Sequence, residues 1–421
     1  MNIDSLTDPI RDELQQSDRQ PELDHIRSLY PPTTGDRGFD AQVIAGNIER
    51  LVTDPPIDTG HPYLDLSVKT GLAFIDATFQ GDHPKYGLKH YAHPRADSFP
   101  PTIIAAVDAL SAWGVYERAK QLFVYWLNNF VRDDGTINYY GPAISEYGQL
   151  LHLAVLLHER AGEGEWWDQA RGRLQKLAVY ALQLSEQAAN VNDLIPGVPE
   201  ADISKGDPNN VSDTDHHENN RFFHNNAWVA RGLLRWSTVV EDSELAKRMQ
   251  HAGEALAART IDIIEQVWPR DAEDWWLSPQ VESCARPESI TSTLIASYAN
   301  YRYWPELLSS GILPDELAHR LVDARLNGGG QFCGMTRFRE RLDDWPLADY
   351  LFGVWRLGRR EDFLLSLFGH AAYHQAGEHL TAYEQVTLPP CREMKAPYCL
   401  SCQLVVARAA RLLVDKPFVK F

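Results

Sequence analysis

The chain has 421 residues, 44% of them hydrophobic and 23% charged, which is the composition of a globular protein with one large domain or two smaller ones. Asp and Glu outnumber Lys and Arg by 58 to 40. The formal charge of −18 disfavours nucleic acid and anionic membranes as partners, because both are recognised through positive charge. Twelve Trp and 17 Tyr favour an aromatic-lined cleft of the kind that binds carbohydrate.

The five cysteines form an odd and sparse set, which predicts no disulfide framework. The N-terminal stretch has neither the basic region nor the apolar region of a secretory signal. No segment approaches the roughly 20 apolar residues that span a bilayer. We therefore expect a cytoplasmic protein without a cofactor, either a monomer or a homo-oligomer.

Residues 1–60 are rich in Pro, Asp and Thr, and we interpret them as an irregular N-terminal arm. From there to residue 421 the pattern predicts a single all-α domain, with helical periodicity and no credible alternating strands. The predicted helices span 64–79, 102–113, 116–131, 146–160, 165–186, 224–240, 243–266, 290–306, 314–325, 346–358, 360–373 and 397–414.

The connections between these helices alternate between short turns and long loops. The composition of the helices alternates together with the loop lengths. The helix at 243–266 carries charge on one face, whereas the helices at 102–113 and 397–414 are apolar around most of their circumference. This alternation predicts six helical hairpins arranged as an (α/α)6 barrel, with inner helices inside a ring of outer ones. The alternative is an open solenoid, whose repeats are usually more uniform in loop length. The long loops are 80–101, 132–145, 187–223, 267–289, 326–345 and 374–396.

In such a barrel all the long loops emerge on one rim, just before an inner helix begins. They mix aromatic rings, which stack on sugar C–H faces, with charged groups that hydrogen-bond hydroxyls. Trp275 and Trp276 could instead simply cover the rim. The rim residues that we expect to contact substrate are Tyr139, Tyr140, Glu146, His224, Asn225, Trp275, Trp276, Asp344, Trp345 and Tyr383.

Two of the long loops carry candidate catalytic carboxylates. Cleavage of a glycosidic bond needs one carboxyl to protonate the leaving oxygen and a second to activate water or attack carbon. Glu384 comes just before the last helix, where the helix dipole favours its ionised form, although it could simply complement that dipole. Glu218 and Asp215 lie together in 212–226, and only a closed ring brings this loop opposite Glu384.

The same 212–226 loop could instead form a metal site or a plain polar loop. His216 and His217 are adjacent and cannot face one point on a helix or strand, so metal is the weaker interpretation. Cys399 and Cys402 lie three apart in an apolar helix without a second ligand pair, which favours buried packing. The sequence therefore predicts no metal ligands.

Several segments resemble the glucoamylase-like six-hairpin glycosidases, the family 15 glycoside hydrolases and their relatives. The stretch TAYEQV, followed by Pro389-Pro390 and an apolar helix, resembles the family's PEQV segment. The resemblance implies an (α/α)6 catalytic domain over about residues 64–415 and the role of general base for Glu384. It places the general acid in 187–223, where Glu218 is the best match and Asp215 the alternative. The family's aromatic-Glu-Glu signature is replaced there by DHHENN.

Two further segments extend the resemblance to sugar binding. RFRERLDDWPLADYLFGVW is similar to the family's arginine-containing segment ahead of its tenth helix, which implies that Arg337 or Arg339 binds sugar. PRADSFPPTI resembles the family's TRDA segment, so Arg95 and Asp97 would bind hydroxyls of the terminal sugar.

The leading hypothesis is an inverting glycoside hydrolase that acts on an α-linked oligosaccharide or small glycoside. The first alternative is a lyase or sugar epimerase on the same barrel. It would abstract a proton with His224, Tyr139 or Tyr140 and neutralise the substrate's acid with Asn225, Asn226 or Arg337. The second alternative is a glycan-binding protein without catalysis. Either way, carbohydrate is the predicted partner.

Overall fold

The computed structural model describes residues 57–201, 219–269, 275–282, 285–375, 380–388 and 399–414, with the side chains of residues 89 and 90 excepted. The predicted N-terminal arm lies almost entirely outside these residues, as do Asp215 and Glu218.

Each of the twelve predicted helices is present. The first seven are α1 Pro62–Thr78, α2 Pro100–Ala112, α3 Tyr116–Phe130, α4 Ile144–Ala161, α5 Glu165–Asn190, α6 Phe223–Trp236 and α7 Ser243–Val267. Helix α8 consists of Leu294–Tyr298, the π-helical turn Ala299–Tyr303 and Trp304–Ser310. The others are α9 Asp315–Asn327, α10 Leu347–Arg356, α11 Arg360–Gly369 with the π-helical turn His370–His374, and α12, made of Leu400–Gln403, Val405–Ala409 and Arg411–Val414.

Local sequence explains where several of these helices begin and end. Pro100 opens α2, where its fixed φ fits and its missing N–H costs no hydrogen bond. The Asp242 carboxylate caps α7 by accepting from the backbone N–H groups of Glu244 and Leu245. Gly311, with φ 71°, ends α8 in the left-handed region that glycine tolerates.

The helices form a closed ring. Helix α2 contacts α4, α4 contacts α6, α6 contacts α8, α8 contacts α10, α10 contacts α12, and α12 returns to α2. The last of these contacts excludes the open solenoid. Burial differs between the inner helix α2 and the outer helix α7. Nearly all of α2 is buried, whereas α7 buries only the stripe Met249, Gly253, Leu256, Thr260 and Ile264. The fold is therefore the predicted (α/α)6 barrel.

Inner helices α4 and α6 approach each other unusually closely. A Cβ atom added to Gly148 would lie 1.8 Å from the backbone oxygen of Trp228. One added to Gly232 would lie 2.5 Å from the Cα atom of Gly148. Only glycine fits at these two positions, so the backbones of the two helices pack directly against one another.

A small antiparallel sheet departs from the expectation that no strands occur. Its strands, in spatial order, are β1 Gln331–Phe332, β2 Met335–Phe338, β3 Arg341–Asp343 and β4 Gln385–Thr387. Strand β3 pairs with β4 so that Asp343 lies opposite Gln385 and Leu342 opposite Val386. These strands are two to four residues long, too short for alternation to reveal them. The sheet joins the loop before α10 to the loop before α12.

The described helices include none that combines the length and the apolar content required to cross a lipid bilayer.

Candidate active site

A cavity of about 230 Å³ opens where the long loops enter the inner ring. It draws on five of the six long loops and on helix α8, as a barrel with all its long loops on one rim requires. Its volume is below the roughly 300–1,000 Å³ of pockets that enclose drug-sized ligands, which suits a single sugar ring. The lining residues are Tyr86, Tyr91, Ala96, Phe99, Tyr139, Tyr140, Glu200, Ala201, Tyr298, Tyr301, Phe338, Asp343, Trp345, Glu384 and Gln385.

Aromatic rings in mutual contact form most of the cavity wall. Phe99 is central, with its ring centroid 5.6 Å from that of Tyr86, 5.3 Å from that of Tyr139 and 5.9 Å from that of Trp345. On one side the contacts continue from Tyr139 to Tyr140, at 4.4 Å. Contacting rings hold one another in place and present flat apolar faces to a ligand.

The wall continues from Trp345 into helix α8. The Tyr301 ring lies 6.1 Å from that of Trp345 and 4.7 Å from that of Phe338, which in turn is 5.2 Å from Tyr298. Tyr301 belongs to the π-helical turn of α8, a geometry that frequently marks functional sites. The next residue in that turn, Arg302, points its guanidinium over the Trp345 ring at 5.4 Å.

Three buried carboxylates line the cavity: Glu200, Asp343 and Glu384 are 5%, 1% and 9% exposed. The pairing of β3 with β4 places Asp343 beside the segment that carries Glu384. The Gln385 side-chain amide donates to Asp343 Oδ2 at 2.8 Å, and the Trp345 backbone N–H donates to Oδ1 at 3.2 Å. The short sheet thus brings carboxylates from two separate loops to one cavity.

Two tyrosine phenols lie close to these carboxylates. Burial raises the pKa of Tyr86 well above its usual value, and the negative charge of Glu384 raises it further. Burial likewise raises the pKa of Tyr301, with Asp343 and Glu200 adding to the effect. Both phenols therefore stay protonated at neutral pH and can donate hydrogen bonds to a carboxylate or a sugar hydroxyl.

Beneath the cavity, Arg302 binds three glutamates at once. Its guanidinium donates from Nη2 to Glu146 Oε1 at 2.9 Å, from Nη1 to Glu200 Oε2 and from Nε to Glu306 Oε1. Arg302 and its three partners are buried, so little water screens the interactions. Glu200 is the member of this cluster that also lines the cavity.

One guanidinium cannot balance three buried carboxylates. Burial raises the pKa of Glu146 to about 8 and that of Glu306 to about 7, although Arg302 opposes both shifts. Glu146 is further held by the Ala143 backbone N–H, which donates to its Oε2 at 3.0 Å. The cluster therefore retains protons near neutral pH, next to a carboxylate of the cavity.

Some predicted site residues lie in the cavity and others beside it. Glu384, Tyr139, Tyr140 and Trp345 line it. Tyr383 is buried next to Glu384 in the chain, and Glu146 lies in the Arg302 cluster.

Asp344 belongs to a separate contact, in which its Oδ2 lies 3.0 Å from His370 Nδ1. Sequence reasoning selected Asp344 rather than its neighbour Asp343. Successive side chains along an extended segment point to opposite sides. Asp343, the last residue of β3, lines the cavity, and Asp344 does not.

Arg95 and Asp97 lie outside the cavity lining, although Ala96 and Phe99 belong to it. The Arg95 guanidinium lies over the Tyr140 ring at 4.1 Å. Asp97 accepts from Lys85 Nζ at 2.8 and 2.9 Å and lies 2.7 Å from the His83 ring nitrogen.

His224 and Asn225 support the loop that carries Glu200. Asn225 accepts from the Ser145 backbone N–H at 3.0 Å and donates to the Val198 carbonyl at 3.0 Å. His224 Nε2 lies 3.2 Å from the Pro199 carbonyl. Both side chains are buried at the start of α6 and fix the backbone just before Glu200.

The remaining predicted residues lie away from the cavity lining. Arg337 donates to the Gly329 carbonyl at 3.1 Å, and Arg339 is exposed at the turn between β2 and β3. Trp276 is buried against Trp304, at 5.5 Å between centroids, and Trp275 contacts Trp276 at 5.9 Å.

Sequence reasoning missed Glu200, Asp343, Tyr86, Tyr301 and Arg302. Glu200 lies in the 187–223 loop where the general acid was expected, but it has no polar cluster around it in the sequence comparable to the one at 213–218. Arg302 gives no local signal, because Glu200 and Glu146 are 102 and 156 residues away in the chain.

Comparison with solved structures supports the fold. A glycosidase variant in complex with glucose superposes with a TM-score of 0.57 at 13% identity, over 83% of this chain and 97% of that one. A rhamnosidase from Klebsiella oxytoca with rhamnose bound gives 0.56 at 10% identity, over 86% of this chain and 66% of that one. An unsaturated glucuronyl hydrolase specific for heparin gives 0.50 at 9% identity, over 85% and 98%.

No protein-family model and no curated protein sequence matches the chain. The structural likeness is at low identity, so it shows the shared (α/α)6 architecture, and the chemistry has to be argued from the cavity.

Proposed function

We propose that the protein is a glycoside hydrolase that releases one neutral sugar from an α-linked oligosaccharide or small glycoside. The observation that carries this proposal is the convergence of Glu384 and Glu200 on one aromatic-walled cavity. Glycosidic cleavage requires two carboxyl groups that flank the scissile bond. The likeness to solved glycosidases agrees with this function.

In the proposed mechanism Glu384 is the general base and Glu200 the general acid. Water attacks C1 of the sugar while its proton passes to Glu384. The bond between C1 and the glycosidic oxygen breaks, and that oxygen takes a proton from Glu200. Attack on the face opposite the leaving group inverts the anomeric configuration, so an α-glycoside should yield the β-sugar first.

The aromatic wall favours binding of a neutral sugar ring. Its rings offer flat faces for C–H contacts, and the Tyr86 and Tyr301 phenols can bind hydroxyls. Among the described residues that line the cavity there are three carboxylates and no Lys, Arg or His. An anionic sugar would meet the carboxylates of Asp343 and Glu384 there, so neutral substrates are favoured over uronates.

The same lining argues against a lyase or epimerase. Those reactions need a base and a cation that neutralises the acid or carbonyl of the substrate. The Tyr86 and Tyr301 phenols, with raised pKa values, are poor bases at neutral pH. Arg302, whose guanidinium lies over the lining Trp345 ring, is already bound to three glutamates.

A panel of neutral α-glycosides and uronate-containing oligosaccharides tests the proposal. We expect reducing sugar to be released from neutral glycosides, with inversion seen by proton NMR at early times. In Glu384→Gln, kcat should fall by about 10²–10⁴, the usual contribution of general acid–base help, with the fold retained. Near-normal turnover by this variant, or an unsaturated product that absorbs in the ultraviolet, would replace the hydrolase with a lyase or epimerase.

A further inference from the structure

Asp344, His370 and His374 meet in the interior, outside the cavity lining. All three side chains are fully buried. One ligand-type atom of each, a ring nitrogen or a carboxylate oxygen, lies within 4.8 Å of those of the other two. The proposed hydrolysis uses none of them, and no sequence motif singled out the His370–His374 pair.

The two histidines are held on one side of a single helix. They are four residues apart on the π-helical turn that ends α11, and their ring centroids are 5.4 Å apart. A spacing of four on a helix is the spacing by which two histidines bind one zinc ion in helical zinc motifs. The widened π turn keeps residues at this spacing on the same side of the helix axis.

The third group comes from a different element and is fixed by its own backbone contact. The Thr336 N–H donates to Asp344 Oδ1 at 2.8 Å, which leaves Oδ2 facing His370 at 3.0 Å. Hydrogen bonds of this kind orient a ligating carboxylate from behind. The carboxylate is therefore held in place before any ion arrives.

We propose that Asp344, His370 and His374 bind a divalent transition-metal ion, with zinc the best match to their chemistry. Two imidazoles and one carboxylate are ligands that zinc prefers, at about 2.0–2.2 Å from the metal. Tetrahedral geometry at that radius separates ligand atoms by about 3.4 Å. The 3.0 Å between Asp344 and His370 is close to this value, and a His374 ring nitrogen lies within 4.8 Å of the ligand atoms of both.

Three protein ligands leave a fourth position for water or a main-chain oxygen. Asp344 stands between Asp343 and Trp345, which both line the cavity. A bound ion would therefore fasten the end of α11 to the cavity wall. The metal site does not depend on the proposed hydrolysis, and the two can fail separately.

The competing arrangement needs no metal. The Arg325 guanidinium, which donates to Thr336 Oγ1 at 2.9 Å, lies near Asp344 and is stabilised by its charge. In that arrangement Arg325 balances the charge of the buried carboxylate, and His370 only hydrogen-bonds to it. Metal uptake by the intact protein distinguishes the two arrangements, because ion pairing alone binds no zinc.

The test measures metal content and coordination directly. Full-length protein from zinc-supplied cells is dialysed, and its zinc is measured by mass spectrometry. The chelator-treated protein is then titrated with cobalt(II), whose visible absorption reports tetrahedral coordination. We expect about one equivalent of zinc and a cobalt band in the wild type, with cobalt affinity reduced at least tenfold in His374→Gln and Asp344→Asn.

Two controls locate the ion. His251→Gln removes an exposed histidine of α7 and should leave the stoichiometry unchanged. A His216→Gln/His217→Gln double variant removes the other histidine cluster of the sequence and should also retain one equivalent. If the wild type takes up no zinc and gives no cobalt band, or if binding is lost with His216 and His217 instead, the assignment is wrong. If the buried variants fail to fold, zinc uptake by the wild type and its retention in the two control variants still test the assignment.

Discussion

At the scale of single residues, Glu384 and Glu200 share a cavity but are held differently. Glu384 lies between the buried Tyr383 and the first residue of β4, near the Tyr86 phenol. Glu200 accepts from Arg302, which also binds Glu146 and Glu306. The two carboxylates therefore meet different local charge, and the Arg302 cluster that holds Glu200 retains protons near neutral pH, from which an acid can be supplied.

The acid role of Glu200 predicts recovery on activated substrates. Glu200→Gln should lower kcat by about 10²–10⁴ on alkyl glycosides but much less on nitrophenyl glycosides, whose leaving group needs no proton. Glu306→Gln removes another carboxyl from the same Arg302 outside the cavity lining, so it should show no such difference. Steady-state rates on both substrate types are the measurement.

Equal losses on both substrate types for Glu200→Gln would remove it as the acid. If Glu218→Gln or Asp215→Asn recovers on nitrophenyl glycosides instead, the acid lies in the segment that the resemblance indicated. That outcome would leave Glu384 as the base and change only its partner.

The Glu146 carboxyl predicts a pH effect on stability. Burial raises its pKa to about 8 in the folded protein, so between its ordinary value and pH 8 the folded state binds more protons than the unfolded state. The free energy of unfolding must then fall as pH rises through this window. Glu146→Gln cannot titrate, so its stability relative to the wild type should improve from pH 5 to pH 8.

Urea unfolding at several pH values measures this difference. Glu117→Gln, at a side chain that is 91% exposed, serves as the control and should track the wild type. If the Glu146→Gln difference stays constant from pH 5 to pH 8, Glu146 is not a titrating member of the cluster.

At the scale of elements, the helices could be predicted and the strands could not. The helices are long enough for an apolar pattern to be recognised in the sequence. Examples are the single apolar face of α7 and the apolar circumference of α2. Strand β3 has three residues, and its partner β4 lies some 40 residues further along the chain. The choice of Asp344 over Asp343 followed from missing this pairing, because the strand decides which of two adjacent carboxylates faces the cavity.

The contact between α4 and α6 predicts opposite effects for two glycine substitutions. Gly148→Ala would place a Cβ atom 1.8 Å from the Trp228 backbone oxygen, which cannot move without shifting α6. Overpacking of this kind costs about 1–3 kcal/mol of unfolding free energy or more. Gly172→Ala, on the exposed side of α5 with no neighbour within 4 Å, should instead stabilise by roughly 0.5–1 kcal/mol. Denaturant unfolding of both variants is the measurement, and equal effects would contradict the close approach of α4 and α6.

At the scale of the whole molecule, the alternation of loop lengths predicted the barrel, but not what closes it. The closure joins α12 to α2, which are about 300 residues apart in the chain. The Trp113 indole N–H, at the end of α2, donates to the Ala407 carbonyl at 2.6 Å. Arg408 Nε donates to Asp108 Oδ2 at 2.9 Å, and Arg160 of α4 donates to Oδ1 at 3.1 Å. Asp108 thus links three inner helices where the ring closes, a convergence that no local pattern reveals.

This linkage predicts that Asp108→Asn destabilises the closed ring in a pH-dependent way. Burial alone would raise the pKa of Asp108, but Arg408 and Arg160 outweigh it and hold the pKa below its ordinary value. The carboxylate therefore contributes its full stability above the unfolded value of about 3.9, and the contribution is lost as pH falls through the folded pKa. At pH 7 the variant should lose about 3 kcal/mol, since it removes the carboxylate that the buried Arg408 binds directly.

The difference between wild type and Asp108→Asn should shrink as pH falls from 5 to 3, and denaturant unfolding across that range measures it. Asp133→Asn removes an aspartate that also binds two cations but is 84% exposed, so water already screens its interactions. Its stability should follow the wild type throughout. A loss in Asp108→Asn that is no larger than in Asp133→Asn would mean that packing alone, without this ion pair, joins α12 to α2.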